Sequence, residues 1–356
     1  MDNSKKRVVV AMSGGVDSSV AAALLVEQGY DVIGMMMRLW SEPHLTQFNR
    51  CCTPDQMADA RRIADQLGIP FYAVDVQDYF RKMIVQFFID GYTAGETPNP
   101  CIECNRKIRF EWLLDQALAL DADYLATGHY AQIKHSAENG YELWKGLDPR
   151  KDQSYVLHVM GQNELSKVLF PIGGMQKSVV RELAAKFNLP VAKKSDSMDL
   201  CFLGNDTYKN FLNRNAPQLG QPGPIVTTAG EQVGKHNGLP FYTIGQRKGL
   251  GISAPEPLFV LNKNIQENTL IVGTRSEVGQ TTLTARKVNW INGVPEGELR
   301  AEVKIRYKNR PNPATITPML DQQALVTFDD PLGGIAPGQG AVFYDGDRCI
   351  GGGLIS

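Results

Sequence analysis

The first two hundred residues alternate short apolar runs with helical segments, and this alternation limits the folds that the chain can adopt. Apolar runs lie at residues 8–12, 31–37, 71–74 and 124–126, and helical segments lie at 18–28, 54–67, 79–89, 108–120 and 178–187. Strands separated by helices form βαβ units, which build a parallel sheet covered by helices on both faces. We therefore expect an α/β domain at the N-terminus.

Boundary signals support two of these helices. Thr53 is expected as the N-cap and Pro54 as the first residue of a helix that Gly68 ends. Gly29 stands one residue beyond the first predicted helix, where a left-handed residue commonly closes the last turn.

The pattern changes after about residue 205. Glycine and proline become frequent between residues 220 and 240, and helical periodicity fades. Short alternating runs at 283–288, 301–307, 324–328 and 341–344 then predict an antiparallel barrel or sandwich. We place three domains at residues 1–205, 206–275 and 276–356.

The charge balance excludes a globally basic nucleic-acid binder. The chain has 37 Lys and Arg against 38 Asp and Glu, a net charge of −1, which leaves local basic patches open. No stretch approaches the roughly 20 apolar residues of a membrane span, and the polar start lacks a secretory apolar region. We therefore expect a cytoplasmic protein with no membrane partner, whose six cysteines are reduced at rest.

A glycine-rich loop, SGGVDSS at residues 13–19, connects the first predicted strand to the first helix. Two glycines let backbone N–H groups approach an anion, and the helix N-terminus adds a positive dipole end. The hydroxyls of Ser13, Ser18 and Ser19 add donors, and Asp17 is a candidate ligand for Mg²⁺. A plain glycine turn before a capped helix is the alternative, but the strand–loop–helix order favours a phosphate site. The loop resembles the SGGxDS pyrophosphate loop of enzymes that split ATP between its α and β phosphates.

Three cysteines stand in contexts that suggest chemistry. Cys101 and Cys104 precede a predicted helix, and Cys201 follows about a hundred residues later. A zinc site at the first two is disfavoured, because no second Cys/His pair follows at similar spacing. Neighbouring cations predict lowered thiol pKa values and therefore nucleophilic cysteines; they are Arg106, Lys107, Lys193 and Lys194. Cys51, Cys52 and Cys349 are expected to be inert packing residues.

Further motifs make a resemblance close. The segments are TPNPCIECNRKIRF, ATGHYAQI, KDQSYVL, DSMDLCFLG, YTIGQRKGLG and APGQGAVFY. In this order they resemble the bacterial tRNA-specific 2-thiouridylases over nearly the whole chain. The resemblance implies an N-terminal pyrophosphate-loop domain of the adenine nucleotide alpha hydrolase type, a small central domain and a C-terminal β-barrel that contacts tRNA. It implies ATP-dependent 2-thiolation of the wobble uridine of tRNA, with sulfur supplied by a cysteine desulfurase or a sulfur-relay protein.

The resemblance also implies roles for single residues. Cys104 corresponds to the nucleophile and Cys201 to the persulfide carrier. Attack by Cys104 on the persulfide would free sulfide or close a transient Cys104–Cys201 disulfide. The implied ATP contacts are Ala11, Met12, Ser13, Gly14, Gly15, Val16, Asp17, Ser18, Met37 and Gly128. The implied target-base pocket is Asn99, Pro100 and Cys101. The implied tRNA contacts are His129, Lys151, Asp152, Gln153, Arg306, Tyr307 and Gln339.

Cys101 departs from the family pattern, because many relatives carry Asp there and that carboxylate is assigned acid/base work. A thiol has a reference pKa of ~8.5 against ~3.9 for Asp, so it needs its own activation to act as a replacement. The alternative is a 4Fe–4S cluster held by Cys101, Cys104 and Cys201. We favour the persulfide route, because three cysteines are an incomplete ligand set.

Four cations alternate with other residues near the C-terminus, namely Lys304, Arg306, Lys308 and Arg310. On a strand they would share one face, which predicts phosphate contacts, although a lysine-guarded edge strand is the alternative. Two other protein classes stay open. Another pyrophosphate-loop ligase would not need the paired cysteines, and a non-catalytic tRNA-binding protein would not need the intact loop.

Overall fold

Val8, Val9 and Val10 are fully buried because their strand lies in the middle of a parallel sheet. The computed structural model describes residues 5–42, 53–195, 200–204 and 206–356. The strands of the first domain are β1 (Arg7–Ala11), β2 (Asp31–Arg38), β3 (Phe71–Asp75), β4 (Tyr124–Ala126), β5 (Ala131–Ser136), β6 (Gly140–Lys145) and β7 (Val168–Leu169). The order β3-β2-β1-β4-β7 is parallel throughout, which confirms the predicted α/β domain.

The helix boundaries follow the signals in the sequence. The first helix, α1, spans Val16–Glu27 and is followed by Gly29 at φ 86°. The second, α2, spans Pro54–Leu67, with the Thr53 side chain accepting from the Gln56 backbone N–H and Gly68 left-handed at φ 68°. Shorter helices are Ser154–Leu157, Gln162–Leu165, Lys177–Lys186 and Tyr208–Asn215.

Two longer helical stretches each contain a π-helical part. Residues 77–93 are helical with a π turn at Arg81–Val85, and residues 100–118 are helical with a π segment at Asn105–Leu113. The helical stretch at residues 100–118 therefore begins eight residues before the predicted start at 108. The signal was present, because Asn99 and Pro100 form the same N-cap and N1 pair as Thr53 and Pro54.

The central domain is a small sheet that shares its core with the first domain. Its strands, in the order β10-β11-β8-β9, are β8 (Gly223–Thr227), β9 (Gln232–His236), β10 (Phe259–Asn264) and β11 (Thr269–Gly273). Phe80 and Phe88 of the first domain pack edge-on against Phe202, which also contacts Phe211 of the helix that enters the central domain. This aromatic cluster fixes the segment that contains Cys201.

The C-terminal domain is a closed antiparallel barrel, as predicted. Its strands are β12 (Gln280–Trp290), β13 (Leu299–Lys304), β14 (Asn312–Met319), β15 (Gln323–Leu332), β16 (Gly340–Asp345) and β17 (Arg348–Ile355). The order β12-β15-β14-β13-β16-β17 closes because β17 pairs with β12. The β5–β6 hairpin of the first domain extends the same sheet, with Leu143 opposite Cys349. No helix in the described ranges is long and apolar enough to cross a bilayer.

One predicted strand is wrong in its extent. The run 301–307 was expected to be a strand, and the cations from Lys304 to Arg310 were expected to share one strand face, but β13 ends at Lys304. Residues 305–311 form the turn to β14, with the Asn309 N–H donating to the Arg306 carbonyl. Asparagine and proline at 309–312 are turn formers, and they override the alternating pattern. Arg306, Lys308 and Arg310 therefore lie in a turn.

Phe88 offers a test of the aromatic cluster. Its side chain is 1% exposed, and its ring centroid lies 5.0 Å from Tyr92 and 5.3 Å from Phe202. Phe88→Ala should lower the free energy of unfolding by about 3–5 kcal/mol, because it removes apolar contacts and leaves a cavity. Urea denaturation measures the change, with Leu320→Ala, at an 88% exposed position, as control. Equal unfolding curves for the two variants would contradict this account.

Candidate active site

The glycine-rich loop is a tight turn that closes on its own hydroxyls. Gly14 has φ 67°, and the Ser13 N–H donates to the Ser18 hydroxyl over 3.1 Å. The Ser19 hydroxyl donates to the Gly15 carbonyl over 2.7 Å, so it serves the turn itself. Gly15 is the N-cap of α1, and no side chain in the described part of the chain accepts hydrogen bonds from the first N–H groups of this helix. These N–H groups therefore face the loop.

Two other elements press against this loop. A Cβ added to Gly14 would lie 2.4 Å from the Gln56 carbonyl oxygen of α2. A Cβ added to Gly128 would lie 2.6 Å from the Ser18 backbone nitrogen. Gly128 follows β4, so the loop is held between the start of α2 and the end of a neighbouring strand. This is the carboxyl edge of the sheet, where open α/β sheets bind ligands.

Two residues from outside the loop donate hydrogen bonds to the Asp17 carboxylate. Its Oδ1 accepts hydrogen bonds from the Tyr130 hydroxyl and from the Lys177 ammonium, both over 2.7 Å. A second ammonium, that of Lys194, donates to the Gly14 carbonyl over 3.0 Å and pairs with Asp59 over 3.1 Å. Sequence reasoning missed both lysines at this site, because they lie 160 and 180 residues from the loop residues that they bind.

The helical stretch at residues 100–118 carries Cys101 and Cys104 and is called the cysteine helix here. The segment before it is hydrogen-bonded to the barrel. The Thr97 N–H donates to the Pro337 carbonyl over 2.7 Å, and the Gln339 side-chain amide donates to the Thr97 carbonyl over 2.8 Å. Glu96 pairs with Arg286 of β12. Residues 96–97 therefore cannot move without the barrel.

The helix itself places its two cysteines differently. Asn99 caps it by accepting from the Cys101 N–H, so Cys101 lies in the first turn and is exposed. Cys104 lies one turn later and is half-buried. Cys104 packs against the same apolar cluster as Cys201, which begins a 3-10 helix at Cys201–Leu203. Met37, an expected ATP contact at the end of β2, packs against that cluster too.

The segment after Cys201 is anchored by one arginine. Arg214 pairs with Asp206, and it also binds Glu42 through two nitrogens. Glu42 is 5% exposed, and it ends the described stretch that follows β2. This anchor and the burial of Phe202 hold the segment that follows the persulfide candidate.

The structure also bears on the other cysteines and on the cluster alternative. Burial raises the pKa of the Cys349 thiol, in agreement with a packing role. Cys51 and Cys52 lie outside the described residues. Among the residues that the structure does describe, no group of three His, Cys, Asp or Glu side chains is placed to hold a metal ion. The described arrangement of Cys101, Cys104 and Cys201 therefore does not fit a cluster held by all three.

Four of the residues expected at the tRNA make contacts within the protein. The Asp152 carboxylate accepts hydrogen bonds from the Gly146 and Ser154 N–H groups, and Gln153 Oε1 accepts one from the Tyr130 N–H. Arg306 donates to the carbonyls of Ile244 and Gly334, both over 2.8 Å, and so joins the barrel to the central domain. The contact of Gln339 with Thr97 is the fourth.

His129 is also buried, at 5% exposure. Arg109 donates to its Nε2 over 3.0 Å, so Nδ1 carries the proton and donates to the Thr127 hydroxyl. Burial, with the Arg109 charge, holds the His129 pKa well below its ordinary value. The imidazole is therefore neutral.

Lys304 and Tyr307 lie beside the expected base pocket. The Lys304 ammonium is 5.9 Å from the centre of the Tyr155 ring and 5.7 Å from that of Tyr307. Tyr155 donates to the Gly340 carbonyl and is hydrogen-bonded to Asn99. Burial raises the pKa of the Tyr307 hydroxyl, and the nearby Asp152 and Cys101 add to the rise. The barrel thus contributes a cation and an aromatic ring next to Asn99 and Cys101.

Family models match the chain in three consecutive parts. The tRNA methyl transferase HUP domain matches residues 6–205, the tRNA methyl transferase PRC-barrel domain 209–274, and the aminomethyltransferase beta-barrel domain 280–355. A tRNA-specific 2-thiouridylase MnmA of Geotalea uraniireducens is 46% identical over 99% of this chain and 96% of its own length. Proteins of the same name from Geobacter metallireducens and Magnetococcus marinus are 45% and 48% identical, over 99% and 98% of this chain and 98% and 99% of their own lengths.

His158 offers a test of the buried polar groups under the cysteine helix. It is fully buried and donates from Nδ1 to the Tyr155 carbonyl, and burial lowers its pKa from 6.5 to about 4. The unfolded chain therefore binds more protons between these pH values, so stability falls as the pH drops from 6.5 to 4. His158→Asn should lose less stability over that interval, by roughly 3 kcal/mol at most.

Urea unfolding at several pH values measures the difference. The matched control is His135→Asn on the exposed side of β5. If the free energy of unfolding depends on pH in the same way in His158→Asn, in the control and in the wild type, the pKa of His158 is not lowered by burial.

Proposed function

The chain belongs to the tRNA-specific 2-thiouridylase family, and we propose that it transfers sulfur to C2 of the wobble uridine of tRNA in an ATP-dependent reaction. The observation that carries this proposal is the convergence of Cys104, Cys201 and Met37 on one apolar cluster. Met37 lies one residue before the end of β2, the strand next to β1, and β1 leads into the phosphate loop. This supports a proposal in which the nucleotide and the two thiols act near the same edge of the sheet.

The reaction activates a poor leaving group. The uracil C2 oxygen attacks the α-phosphorus of ATP, and the bond to the bridging oxygen breaks as pyrophosphate leaves. The outer sulfur of a persulfide on Cys201 then attacks C2, and AMP departs with the original oxygen. The Cys104 thiolate attacks Cys201 Sγ, which frees the thiouridine and closes a Cys104–Cys201 disulfide. A two-electron thiol reductant reopens the disulfide, and a sulfur-donor protein, a cysteine desulfurase or a relay protein, restores the persulfide.

The apolar surroundings of the two cysteines suit this chemistry. A persulfide is easily oxidised or lost to other thiols, and packing against an apolar cluster limits access to it. Cys101 lies on the exposed side of the helix and is proposed to stand at the target base with Asn99 and Pro100. Because tRNA and reduced thiols are needed, we place the reaction in the cytoplasm.

Mg²⁺ fits this site as a companion of ATP. Mg²⁺ is commonly held by one or two carboxylates together with substrate phosphates, and Asp17 is the carboxylate in the loop. When bound, Mg²⁺ would neutralise phosphate charge. The described cysteines do not fit a three-cysteine iron–sulfur cluster, so no step of the proposed reaction uses one.

The competing interpretations explain fewer residues. The names of the matching family models refer to methyl and aminomethyl transfer, but the relatives that match almost the entire chain are 2-thiouridylases. A pyrophosphate-loop ligase without sulfur chemistry does not account for two cysteines, Cys104 and Cys201, at the same apolar cluster. Pyrophosphate release that depends on added tRNA, together with formation of 2-thiouridine, tests the proposed reaction directly.

The cysteine roles are separated by three variants. Cys201→Ser should abolish thiolation and sulfur labelling, because an alcohol cannot hold a transferable sulfur. Cys104→Ser should accept labelled sulfur on Cys201 but turn over poorly. Cys101→Asp should keep substantial activity, since it carries the carboxylate found in many relatives.

Thiolation, ³⁵S labelling and iron content are measured on each variant. Persulfide chemistry requires an active wild type without iron, in which only Cys201→Ser loses the label. Iron in every active preparation, lost in both Cys104→Ser and Cys201→Ser, would replace this mechanism with the cluster alternative.

The tRNA surface is tested at the turn of residues 305–311. Lys308 and Arg310 are exposed there, next to Tyr307 and therefore near the base pocket. Lys308→Glu and Arg310→Glu should each weaken tRNA binding and reduce the slope of log affinity against log salt by about one unit. Lys287→Glu, at an exposed barrel position outside the turn, is the matched control. If all three variants bind like the wild type over a salt series, the turn is not part of the RNA interface.

A further inference from the structure

The phosphate loop lacks the positive charge that its proposed reaction needs. Residues 13–19 contain no lysine or arginine and one aspartate, so the loop itself is negative. The N-terminus of α1 supplies only about half an elementary charge. ATP and the departing pyrophosphate carry several negative charges, and enzymes that transfer phosphoryl or nucleotidyl groups stabilise them with cations placed in advance. Mg²⁺ bound with ATP would neutralise part of this charge, and any protein cation must come from outside residues 13–19.

Two lysines from distant segments reach the loop. Lys177 binds Asp17 Oδ1 over 2.7 Å, and its side chain is only 12% exposed. Lys194 binds the Gly14 carbonyl over 3.0 Å, and its side chain is 33% exposed. Both ammonium groups therefore lie at the loop whose N–H groups a phosphate would approach.

One helix, Lys177–Lys186, positions both lysines. Lys177 is its first residue, and the Lys177 N–H is fixed by the Asp148 carboxylate over 3.1 Å. Arg181 of the same helix donates to the Lys194 carbonyl over 3.1 Å. The pair of Lys186 with Glu27 on the same helix is different, because both of its side chains are exposed, as in an ordinary surface ion pair.

We propose that Lys177 and Lys194 bind the β and γ phosphates of ATP and stabilise the pyrophosphate as it leaves. This inference rests on the proposed ATP-dependent reaction. Lys177 exchanges its bond with Asp17 for the phosphates, which frees a carboxylate oxygen at the loop. Lys194 keeps the Gly14 turn in place while its ammonium faces the same phosphates.

The test compares ATP with AMP, which has no β or γ phosphate. Lys177→Ala and Lys194→Ala should each weaken ATP binding by about 10- to 100-fold, the effect of a lost charged hydrogen bond, and leave AMP binding unchanged. Lys177→Gln keeps a donor for Asp17 without the charge, and it should behave like Lys177→Ala. Lys186→Ala is the matched control on the same helix and should bind both nucleotides normally.

Calorimetric titration of the full chain with each nucleotide gives these affinities, and tRNA-dependent pyrophosphate release gives the rate. Equal losses for ATP and AMP would assign the lysines a purely structural role and overturn the inference, as would unchanged ATP binding. If the wild type prefers ATP through these lysines yet releases no pyrophosphate with tRNA, their binding of the β and γ phosphates stands, and the proposed reaction fails together with their role in it. If the wild type releases pyrophosphate and the variants do so undiminished, the reaction stands and the inference fails.

Discussion

Two hydrogen bonds at Thr97 connect the C-terminal barrel to the segment that leads into the cysteine helix. The Pro337 carbonyl and the Gln339 side chain hold both polar groups of the Thr97 backbone, and the paired charges of Glu96 and Arg286 lie beside them. A segment rich in proline has few backbone donors of its own, so its position depends on such external partners. This contact joins the proposed base pocket, which begins two residues later at Asn99, to the barrel that carries the turn proposed to bind RNA.

The helix that follows combines a capped start with buried polar atoms that lack a hydrogen bond. It begins at Asn99 with a side-chain cap, and it becomes π-helical directly after Cys104. π segments are rare and occur frequently at functional sites. Asn105 Oδ1 and His158 Nε2 are buried without a hydrogen-bond partner in the described ranges, whereas Glu103 Oε2 is paired with the Arg106 guanidinium over 3.7 Å. The two unsatisfied atoms are destabilising unless water or a ligand satisfies them, so this part of the helix is held at a cost in stability.

The sequence predicted local structure better than distant contacts, and particular residues show why. Thr53, Pro54 and Gly68 act within one helix, so their effect could be inferred correctly. The strand expected through Arg306 was wrong, because an alternating pattern was given more weight than the turn-forming residues at 309–312. The loop at 13–19 was identifiable, but Lys177 and Lys194 were not, since nothing in the local sequence links them to it. The pairing of Cys104 with Cys201 is a prediction that came from family resemblance, because their spacing of about a hundred residues carries no structural signal.

Cys101 shows how the fold assigns different chemistry to similar side chains. Cys104 and Cys201 pack against an apolar cluster, whereas Cys101 is exposed at the capped start of the helix, close enough to Tyr307 to influence its pKa. The first two thiols are shielded by the cluster, whereas the thiol at position 101 is exposed on the side where the barrel supplies Tyr307 and Lys304. A helix N-terminus favours an anion, whether carboxylate or thiolate, so both residue types suit position 101 electrostatically. Either side chain therefore suits the base-facing role proposed for position 101, while the two cysteines proposed to handle sulfur stay shielded.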